Sequence, residues 1–164
     1  MTEPGDNKER VFSAVQKAIE VYGEKKDELI PILTYINREI GYLPDQAMEE
    51  LSKRIRVPRS QLYSVASFYE MLSTKPVGRH VIRFCESAPC HVVGGREVYQ
   101  TLLETLEIEP GNTTRDGMWT FLTVSCLGVC GVGPVMMIDD DVYGNLTPQQ
   151  IPQILKKYTA GGVQ

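Results

Sequence analysis

Four cysteines are the residues whose type and spacing point most directly to chemistry. Cys85 and Cys90 form a C-x4-C pair, and Cys126 and Cys130 form a C-x3-C pair. Each pair falls where a predicted strand gives way to a loop. The first ten residues are polar and resemble neither a signal peptide nor a transit peptide, so we expect a cytoplasmic protein with reduced thiols. Reduced thiols in two pairs favour metal binding or redox chemistry over structural disulfides.

The spacing alone leaves three kinds of centre open. These are a [2Fe-2S] cluster with two thiolates per iron, a structural zinc site, and thiol or disulfide chemistry. Zinc sites usually use C-x2-C pairs, so the longer C-x4-C loop favours two irons. Redox chemistry of the thioredoxin kind needs a C-x-x-C pair, which the sequence lacks. Of the two histidines, His80 is predicted inside a strand and His91 is interpreted as a neighbour of Cys90, which disfavours a Rieske-type centre.

The surroundings of the cysteines offer ways to stabilise an anionic centre. Gly128, Gly131 and Gly133 permit a loop that wraps closely and turns backbone N–H groups toward sulfur. Cys90 is expected at the start of a helix over residues 91–107, whose N-terminal end favours negative charge. Both features suit a thiolate cluster.

The second half of the chain is predicted to place these loops on a small sheet. A strand at Arg79–Cys85, the helix over 91–107 and a strand at Trp119–Val124 are followed by two short strands and a final helix. The short strands flank the acidic turn Asp139–Asp141, which we expect to face water and to carry no chemistry. Thr147 and Gln150 have capping-box spacing and begin the final helix. The order β-α-β-β-β-α predicts a small α/β sandwich of the thioredoxin type.

The first half is predicted to be a helical bundle over residues 7–70. Its four helices carry apolar stripes, and the second of them stops at Gly41 while the fourth opens near Pro58. The stripe residues are Val11, Val15, Ala18 and Tyr22; Leu29, Ile32, Leu33, Ile36 and Ile40; Ala47, Met48, Leu51 and Ile55; and Leu62, Val65 and Tyr69. We therefore expect an α+β protein with a docking bundle at 1–75, a sandwich at 76–164, a hinge at 71–77 and a frayed tail at 159–164.

Composition excludes several classes of protein. The 164 residues are 42% hydrophobic and 23% charged, as in ordinary globular proteins. The longest apolar run, at 135–138, is far short of the roughly 20 residues that span a bilayer, so no membrane insertion is expected. The net charge of −4 gives no support for nucleic-acid binding. A basic patch at Lys53–Arg59 allows a helix-turn-helix, but solvated surface or a docking site is favoured because residues 1–75 carry 11 basic and 12 acidic side chains.

The second cysteine pair lies within a longer motif. It runs from Asp116 through Trp119 and Thr120 to Cys126-Leu-Gly-x-Cys130 and Gly133-Pro134. The sequence here resembles the thioredoxin-like [2Fe-2S] ferredoxins, a family that includes the 24-kDa-type subunit of respiratory complex I and related subunits of NAD-linked hydrogenases and formate dehydrogenases. The family usually has Phe where this chain has Trp119. Gly41-Tyr-Leu-Pro44 and Val65-Ala-Ser-Phe-Tyr69 resemble the family's helical part, so the likeness covers about residues 10–158.

The resemblance implies a function as well as a fold. All four cysteines, Cys85, Cys90, Cys126 and Cys130, fall on ligand positions for one [2Fe-2S] cluster. The implied role is a one-electron carrier subunit of a multi-subunit NAD(H)-linked oxidoreductase, without a complete active site of its own. FMN and NAD are expected on a neighbouring flavin-bearing subunit, with further iron-sulfur subunits as partners that hold the chain at the cytoplasmic face of the membrane. The alternative is a non-redox, zinc-stabilised protein-interaction module.

Overall fold

The protein is α+β, with its helical part first, as the sequence predicts. The computed structural model describes residues 4–160, with side chains from 8 to 159. The chain divides into two compact units, one that ends at Val77 and one that begins at Gly78. The described part of the first unit is helical, whereas the second contains a five-stranded sheet and helices.

Four α-helices form the first unit and bury most of the predicted stripes. They are α1 (Pro4–Tyr22), α2 (Leu29–Ile40), α3 (Asp45–Ile55) and α4 (Arg59–Phe68). Helix α2 ends at Gly41, whose φ of 97° is the left-handed conformation that glycine adopts without steric cost. The predicted stripe residues that are buried in one core are Val11, Val15, Ala18, Leu29, Ile32, Leu33, Ile36, Ala47, Met48, Leu51, Ile55 and Leu62.

The prediction that two aromatic residues of the stripes are buried is wrong. Tyr22 and Tyr69 are 38% and 39% exposed, and Ala14 and Ile19 are buried in α1 instead. Tyr69 lies beyond the end of α4 with φ −95° and ψ 109°, so it has left the helical stripe. The 3.6-residue period holds only while the backbone stays helical.

The segment after α4 is fixed to the first unit for part of its length. Leu72 is buried in the helical core. The N–H of Leu43 donates to the carbonyl oxygen of Ser73 over 2.7 Å, and the N–H of Ser73 donates to Asn37 Oδ1 over 3.0 Å. Residues 71–73 of the predicted hinge therefore belong to the helical unit.

The sheet of the second unit has strand order β2-β3-β1-β4-β5. Its strands are β1 (His80–Cys85), β2 (Asn112–Thr113), β3 (Trp119–Val124), β4 (Met136–Ile138) and β5 (Asp141–Tyr143). Strands β1 and β3 are parallel, and the other neighbours are antiparallel. The sequence did not predict β2, because two residues are too few to show an alternating pattern.

The helices of the second unit pack on the sheet. They are a short α5 (Ala88–Cys90), a π-helical turn (His91–Gly95), α6 (Arg96–Leu106) and α7 (Ile151–Ala160). The predicted capping box is present, but it opens a 3-10 turn at Pro148–Gln150 ahead of α7. The core buries Ile82, Phe84, Val98, Leu102, Phe121, Met136, Ile138, Ile151 and Leu155. Of the predicted tail at 159–164, the first two residues are helical and the rest lie outside the described residues.

The acidic turn between β4 and β5 does not simply face water. Asp139 Oδ2 lies 2.6 Å from Nδ1 of the buried His80, and Asp139 Oδ1 accepts the N–H of Val81 over 2.9 Å. Asp141 accepts the hydroxyl of Tyr158 over 2.6 Å. The expectation for this turn is therefore wrong, because two of its carboxylates hold the start of β1 and the end of α7.

No helix in residues 4–160 combines the length and the apolar character that a bilayer-spanning helix needs.

Phe121→Ala is expected to destabilise the second unit by about 3–5 kcal/mol. Phe121 on β3 is fully buried in the core of the second unit, beside Tyr99 of α6, so its truncation leaves a cavity. Urea unfolding followed by the fluorescence of Trp119, the single tryptophan, measures the change. The exposed Val142→Ala is the control, and a loss below about 1 kcal/mol for Phe121→Ala would contradict this description of the core.

Candidate metal centre

The topology of the sheet brings the two cysteine pairs to one edge. Cys85 is the last residue of β1, and it lies in register with Val124, the last residue of the parallel strand β3. Because parallel strands end at the same edge, the loops that follow them meet there. Cys126 comes two residues after β3 and is thereby placed beside the loop that carries Cys90.

The first pair is buried. Cys85 and Cys90 have side chains that are 2% and 1% exposed, in a small cluster with Val135. The N–H of Cys85 donates to the carbonyl oxygen of Val135 over 3.1 Å, which ties the end of β1 to the segment before β4. This pair forms the water-excluded side of the site.

The second pair is exposed and tightly spaced. The Sγ atoms of Cys126 and Cys130 are 3.8 Å apart. The N–H of Gly128 donates to Cys126 Sγ over 3.3 Å, in a turn where Gly128 has φ +81°. The predicted N–H to sulfur contact is therefore confirmed for Gly128, and left-handed backbone explains why glycine occupies the position.

Cys90 does not start the long helix of this unit, contrary to the prediction. It ends α5, and the helical path breaks at Val93 (φ −92°, ψ 23°) and Gly94 (φ 102°) before α6 begins at Arg96. The sequence pattern missed this break because the apolar positions of α6 continue a helical period back toward Cys90. The N-terminus of α6 is thus six residues beyond Cys90, and Gly128 supplies the N–H seen at sulfur.

Two glycines allow the backbone to pass close to Cys90. A Cβ on Gly95 would lie 2.5 Å from the carbonyl oxygen of Cys90, and a Cβ on Gly133 would lie 3.3 Å from Cys90 Sγ. A Cβ on Gly131 would meet nothing within 4 Å. Gly95 is a site residue that sequence reasoning missed, although a pair of glycines at 94–95 inside a predicted helix is a usable signal.

The thiols differ in how readily they ionise. Burial, followed by the neighbouring thiol of Cys85, raises the pKa of Cys90 to about 11. The N–H of Gly128 is the main cause that lowers the pKa of Cys126, with smaller contributions from Cys130 and Cys85. The adjacent Cys126 raises the pKa of Cys130. Since Cys85 influences members of both pairs, the four sulfurs form one interacting group.

These differences predict the order of alkylation in metal-free protein. At about pH 8, iodoacetamide should modify Cys126 first and Cys90 last, because thiolate is the reacting form and Cys90 is both buried and harder to ionise. Cys130 is the internal control, since it is exposed but has a raised pKa. Peptide mass spectrometry over time gives the order, and equal rates for Cys126 and Cys90 would contradict the arrangement.

The donor set provides the four thiols that a [2Fe-2S] cluster needs, in two pairs. Structural zinc needs four donors around one ion, whereas a [2Fe-2S] cluster takes two thiolates on each of two irons. Two adjacent pairs, one buried and one exposed, satisfy the second requirement.

The other residues considered from sequence are exposed or lie in ion pairs. The side chain of His91, next to Cys90, is exposed, and the backbone N–H of His91 donates to the carbonyl oxygen of Ser87 over 3.0 Å. In the basic patch, three side chains pair with carboxylates: Lys53 with Glu49 at 2.8 Å, Arg54 with Glu50 at 3.0 Å, and Arg59 with Asp45 at 3.6 Å. These pairs neutralise most of the local positive charge.

A sheet that presents paired cysteines at one edge defines a class of small thiolate-cluster domains. Residues 15–159 match the family model of the thioredoxin-like [2Fe-2S] ferredoxins. The chain belongs to this family, and the predicted resemblance and fold are confirmed.

Individual relatives are named as parts of larger enzymes. The chain is 39% identical over 145 residues to a subunit of the NADH-quinone oxidoreductase of Escherichia coli (strain K12), covering 88% of this chain and 87% of that protein. It is 35% identical to the corresponding protein of Buchnera aphidicola over 90% and 91% of the two chains. Among solved structures, an NAD+-reducing [NiFe]-hydrogenase in the air-oxidised state superposes with a TM-score of 0.69 at 25% identity. That match covers 81% of this chain and 23% of the hydrogenase chain.

Proposed function

We propose that this chain is a one-electron carrier subunit of an NAD(H)-linked oxidoreductase and that Cys85, Cys90, Cys126 and Cys130 hold its single [2Fe-2S] cluster. The observation that carries the proposal is the convergence of the two thiol pairs at one sheet edge in a member of this ferredoxin family. A bound [2Fe-2S] cluster supplies one-electron transfer. The zinc-stabilised interaction module is disfavoured, since the chain belongs to a family of [2Fe-2S] ferredoxins.

Each part of the site has its own task in this proposal. Cys85 and Cys90 bind from the interior and exclude water, so their side of the site has a low dielectric. Cys126 and Cys130 bind at the surface, where electrons enter or leave over a short distance. The N–H of Gly128 stabilises the thiolate of Cys126 and thereby favours the reduced, more negative state.

The substrate chemistry belongs to partner subunits in this proposal. We propose that NAD(H) and FMN bind a flavin-bearing neighbour, because this chain has no G-x-G-x-x-G loop after a strand. The names of the relatives support NADH:quinone oxidoreductase as the parent complex, and the hydrogenase superposition supports the related alternative. Further iron-sulfur subunits complete the electron path, and the chain is held on the cytoplasmic side through them.

Reduction with dithionite and with NADH distinguishes an electron carrier from an NADH-oxidising enzyme. Anaerobically purified chain should bleach and give a single S = 1/2 electron paramagnetic resonance signal with dithionite, but not with NADH. The signal should appear with NADH once the flavin-bearing subunit is added. Oxidation of NADH by the isolated chain would contradict the proposed division of roles.

A further inference from the structure

The exposed cysteines, Cys126 and Cys130, lie close enough together to be joined by a disulfide. Their Sγ atoms are 3.8 Å apart, and both side chains are exposed to solvent. A disulfide has an S–S distance of about 2.05 Å, so the two sulfurs must approach each other by roughly 2 Å. The bond therefore forms only if the turn between the two cysteines has room to move.

The turn between the two cysteines has that room. A Cβ on Gly128 or on Gly131 would meet no atom within 4 Å, so open space surrounds the backbone at both positions. The side chain of Val129 is also exposed. A short, exposed segment with few packed neighbours shifts at little cost in free energy. The turn can thus bring the two sulfurs together without disturbing the core.

The buried cysteines, Cys85 and Cys90, are closed to the same reaction. Their side chains are only 2% and 1% exposed. Cys90 is packed on two sides, because a Cβ on Gly133 would lie 3.3 Å from its Sγ atom and a Cβ on Gly95 would lie 2.5 Å from its carbonyl oxygen. Thiol–disulfide exchange requires access of the attacking sulfur to an external disulfide. A small disulfide in solution therefore reaches one pair and not the other.

We infer that Cys126 and Cys130 are a redox-sensitive modification site of the chain before it receives its cluster. A low-molecular-weight disulfide such as glutathione disulfide converts them to an intrachain disulfide, while Cys85 and Cys90 remain thiols. The inference rests on the proposed function for one consequence, which is that the disulfide blocks insertion of the cluster.

The modification proceeds by two exchanges. The sulfur of one exposed cysteine attacks glutathione disulfide, forms a mixed disulfide and releases one glutathione thiol. The sulfur of the other exposed cysteine attacks the mixed disulfide, forms the bond between Cys126 and Cys130 and releases the second glutathione. The two cysteine thiols lose two protons and two electrons, and glutathione disulfide takes up both. A dithiol reductant reverses the reaction.

The disulfide removes two of the four proposed cluster ligands. Iron is bound by the thiolate form of cysteine, and the sulfurs of a disulfide carry no negative charge. Cys85 and Cys90 alone leave the cluster without half of its protein ligands. Cluster insertion therefore proceeds only while the surrounding thiol pool is reduced.

Peptide mass spectrometry tests the two pairs separately, because trypsin places them on different peptides. Residues 84–96 contain Cys85 and Cys90, and residues 116–156 contain Cys126 and Cys130. Metal-free, fully reduced, full-length chain is treated with glutathione disulfide without oxygen, and the remaining thiols are then labelled with N-ethylmaleimide in denaturant. The peptide 116–156 should carry no label and should lack two hydrogens, whereas the peptide 84–96 should carry a label on each cysteine.

Three variants control this experiment. Cys126→Ala and Cys130→Ala should each stop at the mixed disulfide with glutathione, since the second exposed thiol is missing. Cys85→Ala is the matched control, because it removes a buried thiol and should form the exposed disulfide as completely as the wild type. In the wild type, unreacted thiols in 116–156, a disulfide within 84–96, a link between the two peptides or glutathione adducts alone would each overturn the inference.

Transfer of a cluster from a [2Fe-2S] scaffold protein tests the consequence. Oxidised chain should accept the cluster at least about tenfold more slowly than reduced chain, and prior treatment with a dithiol should restore the rate. Visible circular dichroism follows the transfer. Equal rates for the oxidised and reduced chains would overturn the inference. If fully reduced chain accepts no cluster, the proposed function itself fails, whereas the peptide masses still report whether the disulfide forms.

Discussion

Cys126→Ser is expected to remove or strongly destabilise the cluster while the first unit stays helical. In the proposed site Cys126 is one of the two protein ligands of an iron and accepts the N–H of Gly128, and a serine hydroxyl is a weaker ligand than a thiolate. The core of the first unit contains no cysteine among its described members and has no need of the metal. Iron analysis and far-ultraviolet circular dichroism measure the two effects on the same sample.

A neighbouring serine provides the control for that variant. Ser125→Ala alters an exposed side chain beside the same ligand and should keep about two irons per chain. A Cys126→Ser protein with a full cluster and a visible spectrum identical to that of the wild type would exclude Cys126 as a ligand. A uniform collapse of helicity would instead contradict the independence of the two units.

Gly95→Ala is expected to impair cluster incorporation more than any other substitution outside the cysteines that is described here. Gly95 has φ −60° and ψ −30°, a helical conformation in which alanine is normally the better residue. The new Cβ would nevertheless lie 2.5 Å from the carbonyl oxygen and 2.9 Å from the carbonyl carbon of Cys90. Since both are backbone atoms, the turn must open and move Cys90. We expect a loss of about 1–3 kcal/mol in the metal-free protein, with incomplete cluster incorporation.

Gly131→Ala is the matched control for the glycine at position 95. It lies beside Cys130, and its Cβ would meet no atom within 4 Å, so cluster content and stability should match the wild type. Urea unfolding and the iron content of reconstituted protein compare the two variants. Equal behaviour of Gly95→Ala and Gly131→Ala would show that close packing against Cys90 is not required.

The helices of the first unit and most of their buried residues could be predicted from the sequence, because apolar residues with a helical period mark the buried face of a helix. The exceptions are Tyr22 and Tyr69, which lie at a helix end and beyond one, where the period no longer fixes the face. The sheet was predicted through the β-branched and aromatic content of β1 and β3. Strand β2 was not, since two residues that pair with β3 leave no local pattern.

The sequence predicted which residues form the candidate site but not the full geometry of the backbone that carries them. The cysteines and the Gly128 contact came from residue types and spacing. The break between Cys90 and α6 was missed, because a positive φ at Gly94 depends on how the turn packs. The carboxylate of Asp139 was assigned to water, since its partner His80 lies 59 positions away in sequence. Such contacts arise only when the sheet has formed.

Iron and acid-labile sulfide analysis with a visible spectrum, on protein purified without oxygen, tests the central claim most directly. The account predicts two irons and two sulfides per chain and a red-brown colour, with all four thiols protected from alkylation. One zinc per chain and no colour in protein made with ample iron would contradict the assignment of an electron carrier.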